Sequence, residues 1–428
     1  MSAESTTTPK GENLRIGAWV MYDWANSAYA TTIMVVLFPI FYGAHWRAGA
    51  ADGASAAEFA IANTTAGLIA AFMGPILGAI ADRAGARKWL LGFFTTVGVL
   101  ASAALWIIPQ AQWELAIMAF VVSLLGFAGA MPFYDSLLMA VTRRERFDFV
   151  SALGYSMGYL GGGLLLTFNV LMTLKPELFG IADKAAAVRL SFLSVAVWWT
   201  LFSLPLFLLV PEPQTADRLP VLPAISAGLR QLWHTFSEMR GMRNVLFFLI
   251  AYYLYNDGVG TVMRMATTYG AQLKLPSEDM IKAILMVQFI GFPAALAFGK
   301  IAGWIGAKRG ILICILGYMA CCVYGSMVRT ATDFYVIAGM IGLVQGGIQS
   351  LSRSMFAVLV PEDKASEFFG LYNVVGRFSA IVGPMLMLAA TTLTGQERWS
   401  ILSLVLLFGA GFVMLMQVQS SAEGTPKA

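Results

Sequence analysis

GAIADRAGARK (Gly78–Lys88) returns 221 residues later as GKIAGWIGAKR (Gly299–Arg309), with five of the eleven positions identical. Each phrase lies between two long apolar segments, and the offset is about half of the 428-residue chain. The pattern marks two membrane-embedded halves built on one design. Duplicated halves around a shared site at mid-membrane depth are the build of secondary transporters, so solute movement is the first function to weigh.

Composition supports a membrane protein. The hydrophobic fraction is 58% and the charged fraction 12%, against roughly 25% charged in soluble domains. The three cysteines, Cys314, Cys321 and Cys322, fall in one apolar segment, which fits small core residues better than a disulfide framework. The N-terminus, MSAESTTTPK, has no charged-then-apolar leader pattern, so the first span is expected to be retained.

Apolar runs between polar breaks predict an all-α membrane protein of twelve transmembrane helices in two pseudo-symmetric six-helix bundles. The first six cover 16–42, 58–81, 89–108, 114–141, 153–174 and 189–210; the second six cover 245–269, 279–303, 310–329, 335–360, 370–394 and 399–417. The expected organisation is an N-terminal bundle (1–210), a linker (211–244) and a C-terminal bundle (245–428). Within the linker, Ile225, Leu229, Leu232, Trp233, Phe236 and Met239 follow helical spacing opposite Arg230, Gln231, Ser237 and Glu238. That is an amphipathic helix suited to a membrane surface, with a tethering role. Sixteen of the 28 basic residues lie on the side of the termini and eight on the other, which predicts termini and linker in the cytoplasm.

Charges inside the spans carry the functional signal, because each costs at least about 2.5–3.5 kcal/mol at the bilayer centre. Asp23 and Asp257, 234 residues apart, occupy the first helix of each half; Asp135 and Arg353, 218 apart, occupy the fourth. Arg264 follows Asp257 by two turns, Asn26 follows Asp23 by three residues, and Gln345, Gln349 and Arg353 step by four. Asn373 and Arg377 form a similar stripe in the eleventh helix. Such stripes belong in a hydrated cavity between the halves. The same charges can also pair as static clamps, and Asp23 or Asp257 can cap a break in its own helix.

In the loop phrase, Gly78 and Gly85 allow close approach and a tight turn, and Arg83, Arg87 and Lys88 are topogenic. Asp82 can sit against the N-terminus of a neighbouring helix and act as a latch made in one conformation and broken in another. The second copy has Gly303 in place of Asp82 and Trp304 in place of Arg83, so the latch is expected on one side only.

GAIADRAGARK resembles the loop signature between the second and third helices of the major facilitator superfamily. YDWANSAYA (Tyr22–Ala30), FYDSLL (Phe133–Leu138), SALGYSMGYLGG (Ser151–Gly162), YNDG (Tyr255–Gly258), QGGIQSLSRS (Gln345–Ser354) and EFFGLYN (Glu367–Asn373) are similar to one group within it. That group is the unknown major facilitator family, which includes the autophagy-related vacuolar amino-acid effluxer. The resemblance spans essentially all twelve helices. It implies alternation between inward- and outward-open states, with the first, fourth, seventh and tenth helices around the substrate. Asp23, Asn26, Asp135, Asn256, Asp257, Gln345, Gln349 and Arg353 fall in those helices and, with Arg264 from the stripe reading, are the candidate binding or coupling residues; Tyr155, Tyr159, Asn373 and Arg377 are further cavity candidates. The compact loops suit a bacterial inner-membrane member.

The expectation is therefore a non-enzymatic secondary transporter or facilitator of a small polar solute, with an amino acid and efflux both in view. Arg353 could take a carboxylate and Asp23 or Asp257 an ammonium. Membrane lipid is the expected surrounding, protons are a candidate coupling ion because a buried Asp can titrate near neutrality, and a monomer is expected. No cofactor, metal or nucleic acid is implied, and no G-x-x-x-x-G-K-[ST] motif supports ATP hydrolysis. Two rivals remain: a non-transporting sensor on the same fold, and a membrane-embedded lipid transferase. The transferase would need clustered acids or histidines, whereas the only histidines are His45 and His234, in separate loops.

Overall fold

An apolar run in lipid can satisfy its backbone internally only as a helix, and helices are what this chain forms. The computed structural model describes residues 9–419 except 52, 214–218, 221–222, 229, 231–234, 236–240, 273–276, 329, 380 and 396, and describes only the backbone of 9–10, 264–272, 277–278 and 397. Helix α1 (Pro9–Ala28) runs on through two wider, π-helical stretches, Tyr29–Leu37 and Tyr42–Trp46. Then follow α2 (Ala54–Ala84), α3 (Arg87–Ala104), α4 (Trp113–Ser136, continued by Leu138–Val141), α5 (Phe147–Leu174) and α6 (Lys184–Leu209). The second half holds α7 (Arg243–Gln272), α8 (Ser277–Ile305), α9 (Ala307–Gly325), α10 (Ala331–Leu359), α11a (Ala365–Phe378), α11b (Val382–Thr394) and α12 (Glu397–Met416).

Eleven segments among the described residues are long and apolar enough to cross a membrane. Helix α3 is the one that falls short of the twelve read from sequence: it has 18 residues and opens on Arg87 and Lys88, which dilute its apolar character. The run 370–394 was expected as one helix; the first helix, α11a, ends at Phe378 and the second, α11b, begins at Val382, with Ser379 and Ile381 outside both. Helices α1 and α5 begin seven and six residues before their apolar runs. Their polar first turns are held by contacts, since Glu12 accepts from Thr142 Oγ1 at 2.8 Å and pairs with Arg146 at 3.1 Å.

Helices α1–α6 pack on one another, as do α7–α12, and the two bundles meet through α2 with α11a, α5 with α8 and α10, and α4 with α11a. The inside is the polar part. Phe72, Trp89, Leu208 and Leu388 are exposed on the outer surface, whereas Asp23, Asp82, Asp135, Asp257 and Arg353 are buried. The linker folds back beneath α2: the Leu219 amide donates to the Arg83 carbonyl at 3.0 Å, and Gly228 lies against Ala79 and Ile80. Of the expected amphipathic linker helix, Leu229, Gln231, Leu232, Trp233, Phe236, Ser237, Glu238 and Met239 lie outside the described residues, while Ile225 and Arg230 are exposed.

The repeated glycines do equivalent work in both halves. Gly85 (φ 58°) and Gly306 (φ 86°) occupy the same place in the two phrases and adopt left-handed backbone that turns one helix directly into the next. Their amides close the preceding helices on Ala81 and Ala302. Gly85→Ala is expected to cost about 1–2 kcal/mol, read as lower thermal stability in detergent, with Gly92→Ala, which sits at negative φ, as the milder control. Gly78 and Gly299, also identical in the two phrases, lie at the seams between bundles. A Cβ on Gly78 would come within 2.8 Å of the Glu367 amide nitrogen, and one on Gly299 would overlap the Ala152 methyl. Each seam closes only because no side chain is there.

Candidate functional site

The close crossings at Gly78 and Gly299 lie at the end of the molecule that carries the Gly85 and Gly306 turns, here termed the loop end, and the α5–α8 seam continues away from it to Gly163 against Gln288. Arg353 of α10 is the centre of the join and is 1% exposed. Its Nη1 donates to Asp135 Oδ1 at 3.2 Å and its Nη2 to Asp23 Oδ2 at 3.1 Å. Nε donates to Ser151 Oγ at 2.9 Å and Nη2 to the Ser151 carbonyl at 3.0 Å. Four of the five guanidinium donors are thus taken, every one by a residue of α1, α4 or α5. The rings of Tyr155 and Trp19 lie 4.2 and 4.7 Å from the guanidinium carbon, and Tyr134 lies at 5.6 Å. One cation from the second bundle is enclosed by two carboxylates and three rings of the first.

Local sequence explains how Asp23 reaches it. Gly154 faces the Asp23 carboxylate, and a Cβ there would meet it. Gly158, Gly161 and Gly162 lie against Ser27 and the Trp24 carbonyl, so the glycines of SALGYSMGYLGG form the close α1–α5 packing face. Asn373 of α11a donates to Asp135 Oδ2 at 3.4 Å and to the Phe369 carbonyl at 2.9 Å, adding a second residue from the opposite bundle.

Nearer the loop end, Asp82 of α2 caps α11a. The Ser366 amide donates to its Oδ1 at 3.2 Å and the Glu367 amide to its Oδ2 at 3.0 Å. The residue preceding α11a, Lys364, supplies no side-chain cap of its own. The first-turn donors of one bundle therefore depend on a carboxylate of the other. Arg87 Nε donates to Asp82 Oδ1 at 2.8 Å, and Arg87 Nη2 donates to the Glu362 carbonyl at 3.0 Å. Ser136 and Ser366 hydroxyls meet at 3.1 Å, Ser151 Oγ donates to the Ser350 carbonyl at 2.7 Å, and Ser354 Oγ donates to Asp148 at 2.6 Å, all across the same divide. Lys88 turns away and donates to the Phe207 carbonyl at 3.0 Å and to the Val210 carbonyl, closing α6. Its amide donates to Glu212 at 2.9 Å; burial raises the Glu212 carboxyl above the usual range, and this bond opposes the rise.

The other candidates separate into distinct places. Asp257 caps α11b: its Oδ2 accepts from the Val382 and Gly383 amides at 2.8 and 3.1 Å, and its Oδ1 accepts from Thr261 Oγ1 at 3.4 Å. Asn256 beside it donates to Ser379 Oγ at 2.5 Å and to the Gly376 carbonyl at 3.2 Å. The break that Asp257 caps is therefore in α11, whereas its own helix runs through without one. Gln345 accepts from Tyr318 of its own bundle, while Gln349 accepts from Tyr159 of α5 at 2.7 Å. Asn26 is buried with its amide 3.6 Å from Met131 Sδ. The Arg264 side chain lies outside the described residues. Ser151, Trp19, Tyr134, Ser366 and Glu367 are site residues that the sequence reading did not single out. Among the described residues no group of three His, Cys, Asp or Glu is placed to hold a metal. Grooves of 710 and 540 Å³ lie between α3 and α6 and between α5 and α6, on outer faces remote from Arg353.

Comparison with known proteins places this arrangement. The model of the family described as "Vacuole effluxer Atg22 like" matches residues 51–147 and 140–424. The MFS-type transporter YxiO of Bacillus subtilis is 38% identical over 406 residues, covering 93% of each chain. Autophagy-related protein 22 of Yarrowia lipolytica is 24% identical over 272 residues, which cover 56% of this chain and 44% of that one. Among solved structures, the human organic anion transporter MFSD10 superposes with a TM-score of 0.71 at 14% identity, covering 96% of this chain and all of its own. The proton:xylose symporter XylE superposes at 0.67 with 11% identity, over 96% of this chain and 95% of its own. The chain is a multi-pass membrane transporter and not an enzyme, and it belongs to the Atg22-like family of the major facilitator superfamily.

Proposed function

We propose that this chain carries a small polar solute, amino-acid-like in its charges, across the bacterial inner membrane by alternating access. The excess of basic residues on the loop side supports a cytoplasmic placement of that end and of both termini. The conformation described here is then closed at its cytoplasmic end. The observation that carries this reading is the make-up of the loop-end seam. Ionised groups of one bundle are satisfied by the other: Arg353 by Asp23 and Asp135, and the α11a amides by Asp82. Groups of that kind exchange partners when water or solute replaces them, and they do not separate in a dry interface. The linker 211–244 tethers the two halves while the seam opens.

Counterflow with purified protein in liposomes, using the twenty L-amino acids, small carboxylates and neutral sugars, tests the reading. Exchange of at least one polar probe is expected; correctly folded protein that moves none of them contradicts it. Asp82→Asn should weaken the latch by about 1–2 kcal/mol, a roughly fivefold to thirtyfold shift toward the inward-open state. Single cysteines near the seam should then react faster from the loop side. Unchanged labelling on both sides would refute a latch at Asp82.

A further inference from the structure

Among the described residues, Asp23, Asp135 and Asp257 are each engaged, whereas the cation Arg377 faces no carboxylate. Asp23 and Asp135 hold Arg353, and Asp257 spends its charge on the first amides of α11b, a helix N-terminus and not a base. Arg377, on α11a, has no carboxylate or hydrogen-bond acceptor among the described residues, although it is only half-exposed. It is one turn beyond Asn373, whose amide reaches across to Asp135, so Arg377 lies along the stripe that faces the opposite bundle. Helix α11a leaves the seam at that level: Phe368 to Tyr372 are buried, and Asn373 to Phe378 are half-buried. Behind Arg377, Gly376 packs on Tyr252 and its carbonyl is taken by Asn256, while Asn256 also binds Ser379. The backbone that carries the cation is thereby fixed from the α7 side. A guanidinium held at this depth without a counter-charge is costly to keep unless a ligand supplies one.

We propose that Arg377 is the receptor for a carboxylate of the transported solute. This deepens the transport reading and rests on it. Arg353 is unsuited to the task, because taking a substrate carboxylate there would displace two others from a closed site. The fork of Arg377 offers the bidentate geometry that a carboxylate matches. One turn away on the same helix, Asn373 reaches Asp135 of the Arg353 join.

The test uses purified full-length protein and thermal shift against the twenty L-amino acids, succinate, lactate and the matched amides. Wild type should be stabilised by at least one carboxylate and not by its amide. Arg377→Gln should bind that carboxylate at least tenfold more weakly, and Arg377→Lys should recover part of the loss. Without ligand, Arg377→Gln should be as stable as wild type or more so, a result that a structural arginine would not give. Stabilisation by the amide equal to that by the acid, undiminished binding by Arg377→Gln, or stabilisation by no carboxylate of the panel overturns the assignment. Counterflow separates the two levels: a carboxylate probe that Arg377→Gln exchanges at the wild-type rate removes the receptor and leaves the carrier standing, whereas wild-type protein that exchanges no probe removes the carrier reading itself.

Discussion

Arg353→Ala should abolish transport and lower thermal stability together. The substitution leaves Asp23 and Asp135 facing one another in a buried site without their shared cation, and breaking a buried pair in this way costs about 3–5 kcal/mol. Ser151, whose hydroxyl is both donor to Ser350 and acceptor from Arg353, loses half of its bridge. Arg353→Lys should not rescue, because one ammonium cannot span Asp23, Asp135 and Ser151 as the planar fork does. The triple change Asp23→Asn, Asp135→Asn, Arg353→Gln removes the charge problem and should recover stability. If it also recovers flux, the join is structural only. Counterflow and melting temperature, measured on the three variants in parallel, decide between these outcomes.

Gly78→Val should leave the protein folded and inactive. The added Cβ would strike the backbone of Ser366 and Glu367, which cannot move away without uncapping α11a. Overpacking of this kind costs about 1–3 kcal/mol or more, and the cost falls only on the closed seam. The balance should therefore move toward the inward-open state by roughly fivefold to a hundredfold or beyond. Two readouts follow: loss of counterflow, and faster labelling of single cysteines on the loop side. Gly299→Val is the matching change at the α5–α8 seam, where the Ala152 methyl is the obstacle, and it should act in the same direction. Normal flux by both variants would mean that the seam need not close this tightly.

The repeat and its turns were legible because the two phrases keep the same residues for the same physical reasons, whereas the phrase that marks Gly78 for a close crossing does not say that the crossing is between bundles. Gly85 and Gly306 keep a positive φ, and Gly78 and Gly299 keep a close crossing. The intramembrane charges stood out because each is expensive in lipid. Their pairing was less legible. Helical spacing puts Gln345, Gln349 and Arg353 on one edge, yet that edge is shared between two neighbours, and only contact decides that Gln345 turns to Tyr318. Ser151, Trp19 and Tyr134 gave no separate signal, since a serine or an aromatic ring is unremarked in an apolar helix. The break in α11 did leave a trace. Gly383-Pro384 sits in the first turn of α11b, and a proline there cannot donate back to the preceding turn. Without a partner to cap it, that dipeptide alone does not tell a break from a kink.

The most direct test of the seam as the inner gate is to lock it. Ser136 and Ser366 face each other at 3.1 Å from opposite bundles, near enough for a disulfide between cysteines at those positions. In a background with Cys314, Cys321 and Cys322 replaced by alanine, the pair Ser136→Cys and Ser366→Cys is oxidised and assayed for counterflow. The account predicts that flux stops on cross-linking and returns with dithiothreitol. Full cross-linking with undiminished flux would contradict it.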